Sequence, residues 1–597
     1  MLGPIFMREW LTLPRRPAHY LSRAIYLGVL WVLLLTTWQI TIGWEYTATL
    51  GDLARFGLLA FRVLAYVQLT LLLFFSALSA ASTVALEKDR RTFLLLLITD
   101  LHNHEIVLGK LLGSLLHIGI LLGCSVPIFA LLMLLGGIDA SQIGEMVLVL
   151  STTALAAGSL GSLAALWRDK TFQALAITVL FLVMYLCLVQ GLSLLPALVT
   201  AVEPASIHYW QTTFDPFMAL NEVIDPPESA GGLTAAPRFA LAMLIISAIL
   251  NGIGIAMLRV WNPSGEPIMQ REAAGDVGTE PERIHAAPGK VRSVWSNPIL
   301  WREVATRAYG RRPLLVKTAY FCVLALVGYY ALFAMQPRDF AAAYGLAPIA
   351  VLSLLLISTQ AVTSITSERD LGSLDLLVIT DLSPRDFVFG KILGILYNTK
   401  EYILPPLILV ILYAIRGQLA SPPRGGSGVN VERNVEAAFF LSIALLILIA
   451  FTIMLGIHVA LRSSNSRLAA VHSLGTIFFL SIGTGICIYL IRINGRFEYQ
   501  WLSFAGFIVA GIGGLWWVLS SERPSAALNL ASTILPIAVF YTITNILIGK
   551  PSTGESSDPL YPFLVIVGSF GFAVTAMAIP LMSEFDVAIG RASAIGE

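Results

Sequence analysis

Residues 58–110 read LLAFRVLAYVQLTLLLFFSALSAASTVALEKDRRTFLLLLITDLHNHEIVLGK. The opening run, 58–85, is long enough to cross a hydrocarbon core of about 30 Å. A charged cluster around Glu87 and Asp89 ends it. The next apolar stretch, Phe93–Ile98, is too short to cross, and after Thr99-Asp100-Leu101 a new long run starts beyond Lys110. A spanning segment must satisfy its own backbone hydrogen bonds, so runs of this kind predict helices. The stretch therefore predicts an all-α membrane protein whose spans are separated by short polar turns.

Working outward, the same rhythm fills the chain. The first part holds six candidate spans, at 22–42, 58–85, 111–136, 143–166, 172–200 and 238–260. Eight more follow, at 314–335, 345–366, 392–415, 436–461, 468–491, 499–520, 526–549 and 560–583. Between the two groups lies a polar linker, 263–294, rich in Pro, Gly, Glu and Arg. Over 597 residues only 13% are charged and 57% hydrophobic, against about 25% charged in soluble domains. The net charge of +1, with no basic stripe, gives no reason to expect a nucleic-acid partner. Cys124, Cys187, Cys322 and Cys487 each sit inside an apolar run, far apart, which predicts buried thiols rather than disulfides or a metal site.

Basic residues favour cytoplasmic loops. With the N-terminus inside, fourteen spans place Arg8, Arg15, Arg16, Lys88, Lys110, Arg168, Arg302, Arg369, Lys391 and Arg462 on the cytoplasmic side. The acidic loop 201–237 then falls outside. Arg416, Arg424 and Arg433 run against the pattern. The expectation is a multi-pass protein of the cell inner (plasma) membrane with both termini cytoplasmic. Glycine pairs such as Gly119 with Gly123, Gly252 with Gly254, and Gly511 with Gly513 predict close helix packing.

The chain is internally duplicated. Residues 368–391, ERDLGSLDLLVITDLSPRDFVFGK, match 87–110 at eleven of 24 positions. Upstream, Pro4-Ile5-x-x-Arg8-Glu9 recurs as Pro298-Ile299-x-x-Arg302-Glu303, and Arg15-Arg16-Pro17 as Arg311-Arg312-Pro313. Two spans separate entry segment from motif in both copies, so the repeats are expected to be parallel rather than inverted. The matched positions include charged and polar residues at fixed spacing, which chance similarity of apolar stretches does not produce. Each motif predicts a bent interfacial helix–turn–helix, with Asp100 or Asp381 capping the second helix. Lys110 and Lys391 are expected to snorkel at the mouth of the following span.

These residues carry a resemblance to a known family. The Pro-Ile-x-x-Arg-Glu entry segment, the Glu-x-Asp-x-Gly-Ser-Leu-Asp-Leu-Leu run of 368–377 and the Gly-Lys of 390–391 resemble permeases of the ABC-2 class, the membrane subunits of ATP-driven transporters. The resemblance implies two six-span cores fused in one chain, at 1–262 and 295–520, with two added spans and a cytoplasmic tail in 521–597. It implies that Glu87, Asp89, Thr99, Asp100 and Leu101, and in the second copy Glu368, Asp370, Thr380, Asp381 and Leu382, couple to a separate nucleotide-binding subunit, present in two copies. ATP and magnesium would then belong to that partner, and export would be the direction. The first copy departs further from the family pattern, since Arg91-Thr92-Phe93 replaces Gly372-Ser373-Leu374.

Other chemistry is sparse. No G-x-x-x-x-G-K-[ST] phosphate loop is present, so ATP hydrolysis is not expected of this chain itself. His102 and His104 are replaced by Ser383 and Arg385 in the second copy, which argues against a metal site. Lys400 and Glu401 lie about 15 Å of helix beyond Lys391. They either line a pathway or sit at an interface after a helix break at Pro405-Pro406. Gln68, His117, Gln190, Asn251 and Gln360 read as interhelical hydrogen-bond partners. Beside the permease reading stand a structural or complex-anchoring membrane protein and an intramembrane enzyme working on lipid or peptide. The enzyme would need convergent Asp, His, Ser or Glu residues at depth, which the spans lack; the anchoring protein would leave the duplicated motif without a use.

Overall fold

A computed structural model describes residues 3–12, 17–43, 49–89, 92–168, 171–198, 204–226, 234–262, 295–305, 313–329, 345–370, 383–419, 431–463, 466–494, 501–520, 525–548 and 559–583. The linker 263–294, Arg15-Arg16, Arg311-Arg312 and Thr380-Asp381-Leu382 lie outside the described residues.

Both parts open on a short entry helix followed by long helices. A short entry helix, α1 (Pro4–Thr12), opens the chain, followed by α2 (Pro17–Thr41) and α3 (Leu50–Asp89). The motif contributes α4 (Thr92–Ile98), and α5 (Asn103–Leu135), α6 (Ala140–Trp167) and α7 (Thr171–Gly191) follow. Small helices α8 (Leu195–Leu198), α9 (Pro204–Phe214) and α10 (Pro216–Ile224) precede α11 (Ala235–Trp261). The second part has entry helix α12 (Pro298–Ala305), then α13 (Pro313–Tyr329), α14 (Leu346–Asp370), α15 (Pro384–Ile415), α16 (Val431–Arg462), α17 (Ser466–Asn494) and α18 (Trp501–Ser520). Helices α19 (Ala526–Ile548) and α20 (Leu560–Ser583) close it.

Twelve of these helices are long and apolar enough to cross a membrane. The described residues of the runs at 314–335 and 499–520 are also helical, with shorter apolar parts, Val316–Tyr329 and Phe504–Ser520. Two expectations are corrected. Pro405 and Pro406 lie inside the unbroken α15, because a spanning helix tolerates proline where its neighbours re-satisfy the freed backbone groups. The motif is not a helix–turn–helix of two short pieces: α4 is short, but α5 runs on unbroken from Asn103 into its span. Its first turn is held by Glu105, which accepts from the His102 N–H at 3.1 Å, rather than by Asp100.

With no hydrophobic drive between helices in lipid, close packing has to supply the association. Spans α3 and α6 cross where Gly161 leaves room for the carbonyl of Ala77, and α14 and α16 cross where a Cβ on Gly456 would lie 2.5 Å from that of Ala361. The glycines singled out from the sequence divide. A Cβ on Gly119, Gly123, Gly252 or Gly513 would meet open space, whereas Gly511 abuts Pro536 and Gly254 abuts Leu166. One apolar cluster runs through both parts, joining Ile106 and Leu180 to Ile357 and Met454. Among the polar candidates, Asn251 donates to Ser159 Oγ at 2.9 Å and His117 Nε2 lies 3.3 Å from Ser22 Oγ. Gln68 is buried and Gln360 half-buried. Cys322 corrects the expectation of buried thiols, being exposed on α13.

The described part of the acidic loop between α7 and α11 includes α9 and α10, which pack against α11. Asp215 caps α10, accepting from Phe217 N at 2.7 Å and Met218 N at 3.3 Å, with Gln190 donating to its other oxygen. Burial pushes its carboxyl above the usual value, and these donors pull it back. Asp225 binds Arg62 on α3 at 2.5 Å. The acidity of this loop is therefore spent partly on internal contacts.

Candidate functional site

The duplicated residues meet at one end of the spans. Each entry helix lies across the span that follows the motif, and two glycines one turn apart let it approach. A Cβ on Gly109 would stand 3.3 Å from Ile5 Cβ, and one on Gly113 3.1 Å from Glu9 Cγ. In the second copy the approach is closer: 3.0 Å from Gly390 to Ile299 Cβ and 2.7 Å from Gly394 to Glu303 Cβ. Between the glycines sits the lysine, which the close entry helix shields from solvent.

Lys391 is completely buried. Its Nζ donates to Glu303 Oε1 at 2.6 Å, to Glu368 Oε1 at 2.6 Å and to the Ser364 carbonyl at 2.8 Å. Arg302 from the entry helix binds the same Glu368 oxygen. Among the described residues two cations thus face two carboxylates, as a buried set requires, because unpaired charge is costly to desolvate. In the first copy Lys110 is buried and binds Glu87, while Glu9 takes Arg8 at 2.8 Å. The four groups are the same, but wired as two separate pairs.

The residue after each glutamate makes a further tie. Lys88 donates to the carbonyls of Leu166 and Arg168 at 2.6 and 3.0 Å, at the end of α6. Arg369 donates to the Ala460 carbonyl at 3.0 Å and to that of Ser463, at the end of α16. A cation on the last carbonyls of a helix satisfies orphan acceptors and opposes the helix dipole. In the second copy these ties fasten entry helix, second, third and fourth span together; in the first they fasten the three spans, and the entry helix is held by its packing on Gly109 and Gly113. We call this arrangement the lock.

Lys110 and Lys391 were expected to snorkel; both are instead buried in ion pairs, because the entry helix covers them. Glu87 and Glu368 turn inward to those lysines. Asp89 and Asp370 end their helices, and nothing is described of their side chains. Thr99 and Asp100 are exposed, and Leu101 packs half-buried against the core. Helix α4 anchors itself by Phe93 and Leu97 and presents Leu95 and Ile98 outward. Its outward face is therefore apolar, with Thr99 and Asp100 at one end.

Of the lock residues only Glu87 and Glu368 were read from the sequence as site residues; the entry-segment glutamates Glu9 and Glu303, the glycines Gly113 and Gly394 and the cations were not. The signal was present as a Gly-Lys-x-x-Gly repeated at 109–113 and 390–394, with a matched glutamate in each entry segment.

Lys400 and Glu401 are not enclosed in the core. Glu401 pairs with Lys317 on α13, both about one-third exposed, and Lys400 lies exposed with its ammonium 4.2 Å from the Tyr397 ring centre. Rings of His102 and His104 stand 5.5 Å apart, and among the described residues no three His, Cys, Asp or Glu gather as a metal site. Comparison with family models, with characterised proteins and with solved structures returns no match for this chain.

Proposed function

We propose that this chain is the membrane-spanning permease of an ATP-driven transporter of the ABC-2 kind, an exporter coupled to two copies of a separate nucleotide-binding subunit. In this reading it spans the plasma membrane fourteen times, as two parallel six-span cores plus two added spans, with both termini cytoplasmic. The observation that carries the reading is the duplicated lock beside an outward-facing short helix. An energy-coupling subunit needs a rigid surface joined to several spans at once, and the lock ties the helix ends on either side of α4 to neighbouring spans. Apolar Leu95 and Ile98 would supply contact area, with Asp100 setting orientation.

The lock changes which residues test the idea. Reversing Glu368 would break a buried ion pair and disturb folding, so the informative positions are exposed ones. Cysteine placed at Ile98 and cross-linked in native membranes is expected to capture an ATP-binding chain. The double change Leu95→Asp with Asp100→Lys is expected to abolish capture at unchanged membrane levels, while the purified chain alone hydrolyses no ATP. Capture of no ATP-binding chain, or ATP hydrolysis by the isolated protein, would overturn the reading.

A further inference from the structure

Helix α15 shows an outward stripe, Leu393, Tyr397, Leu404, Ile408 and Ile411, each about half exposed and spaced three, four or seven residues apart. On a spanning helix such a face meets acyl chains. Lys400 interrupts it. The neighbouring Glu401 is taken by Lys317 of α13, so among the described residues two cations and one carboxylate share this groove, and Lys400 stands exposed on the lipid-facing side.

Its depth can be placed. The Lys400 stem runs back one turn, bringing its ammonium to the Tyr397 ring. From Tyr397 to the helix end at Ile415 the axis rises about 27 Å, close to the thickness of a hydrocarbon core. With Ile415 at one interface, the ammonium stands near the other, at headgroup level on the side of the lock. Lys317, near the start of α13, lies at the same end. Tyrosine favours this level, with its ring in the acyl region and its hydroxyl in the headgroups.

We propose that the groove between α13 and α15 binds the phosphate of an anionic phospholipid, with Lys400 as the main contact and Lys317 as the second. An exposed cation near hydrocarbon is costly, and a lipid with net negative charge neutralises it. A zwitterionic lipid brings its own cation and does not. The inference is independent of the transport reading.

The test uses the purified, delipidated full chain in a non-ionic detergent. Phosphatidylglycerol is expected to raise the unfolding temperature more than phosphatidylcholine and to be retained in native mass spectra. Lys400→Met is expected to remove most of that difference, and Lys400→Arg to keep it. Glu401→Gln adds one net positive charge to the groove and is expected to enlarge it, which keeps the proposal testable should Lys400→Met not purify. Equal effects of the two lipids, an unchanged difference in Lys400→Met, or a smaller one in Glu401→Gln would each overturn the proposal. Inorganic phosphate at equal concentration is expected to give no rise. If it reproduced the full effect, the groove would be a general anion site and the lipid assignment would fall.

Discussion

Replacing Lys391 with methionine is expected to cost about 3–5 kcal/mol of stability, the usual loss when one partner of a buried ion pair is removed. The substitution removes the ammonium that Glu303 and Glu368, both nearly buried, share. Most of the protein should then be lost from monodisperse fractions after extraction, which size-exclusion of a fluorescent fusion measures. Adding Glu303→Gln to the same chain removes one stranded charge and should recover part of the loss. Lys110→Met should cost less, since Lys110 faces one carboxylate, and Glu87 keeps 18% of its side-chain surface exposed. A Lys391→Met protein as stable as the parent would show that the lock contributes nothing to stability.

Gly161→Leu is expected to be nearly as damaging, for a different reason. Even a Cβ at this position would enter the carbonyl of Ala77, which is main chain and cannot rotate away. Spans α3 and α6 would have to separate along their whole contact. Overpacking of a tight interface typically costs about 1–3 kcal/mol, occasionally more. Gly123→Ala and Gly252→Ala supply the controls, since their added methyl groups meet open space and alanine favours helix over glycine by about 1 kcal/mol. Thermal unfolding of the three variants side by side separates steric cost from helix propensity. Equal behaviour of Gly161→Leu and the controls would show that the α3–α6 crossing can relax.

The helices were legible because each signal is local. A run of about 20 apolar residues states its own conformation in lipid, and twelve of the helices are long and apolar enough to cross a membrane. The partners of the charges were not local. Glu87, Lys88 and Asp89 leave one helix end at about 100° intervals, so one can point inward while another points out, and neighbours decide which. The decisive neighbour of Glu368 and Lys391 is Glu303, some 65 residues before the motif. The matched glutamate of the entry segment was visible as a repeat, but its meaning required knowing that the helix lies on Gly390 and Gly394. The two prolines of α15 misled because rules for helices in water count a lost backbone bond that a packed span recovers from its neighbours.

Every tie of the lock among the described residues runs within one half. Glu9, Glu87, Lys88, Lys110 and the carbonyls at 166 and 168 lie before the linker, and Arg302, Glu303, Glu368, Arg369, Lys391 and the carbonyls at 460 and 463 lie after it. A ribosome can therefore finish one complete set of fastenings before the next begins to emerge. The same chain, encoded as two separate polypeptides split within 263–294, would keep all of them and would need only the shared apolar seam to find its other half.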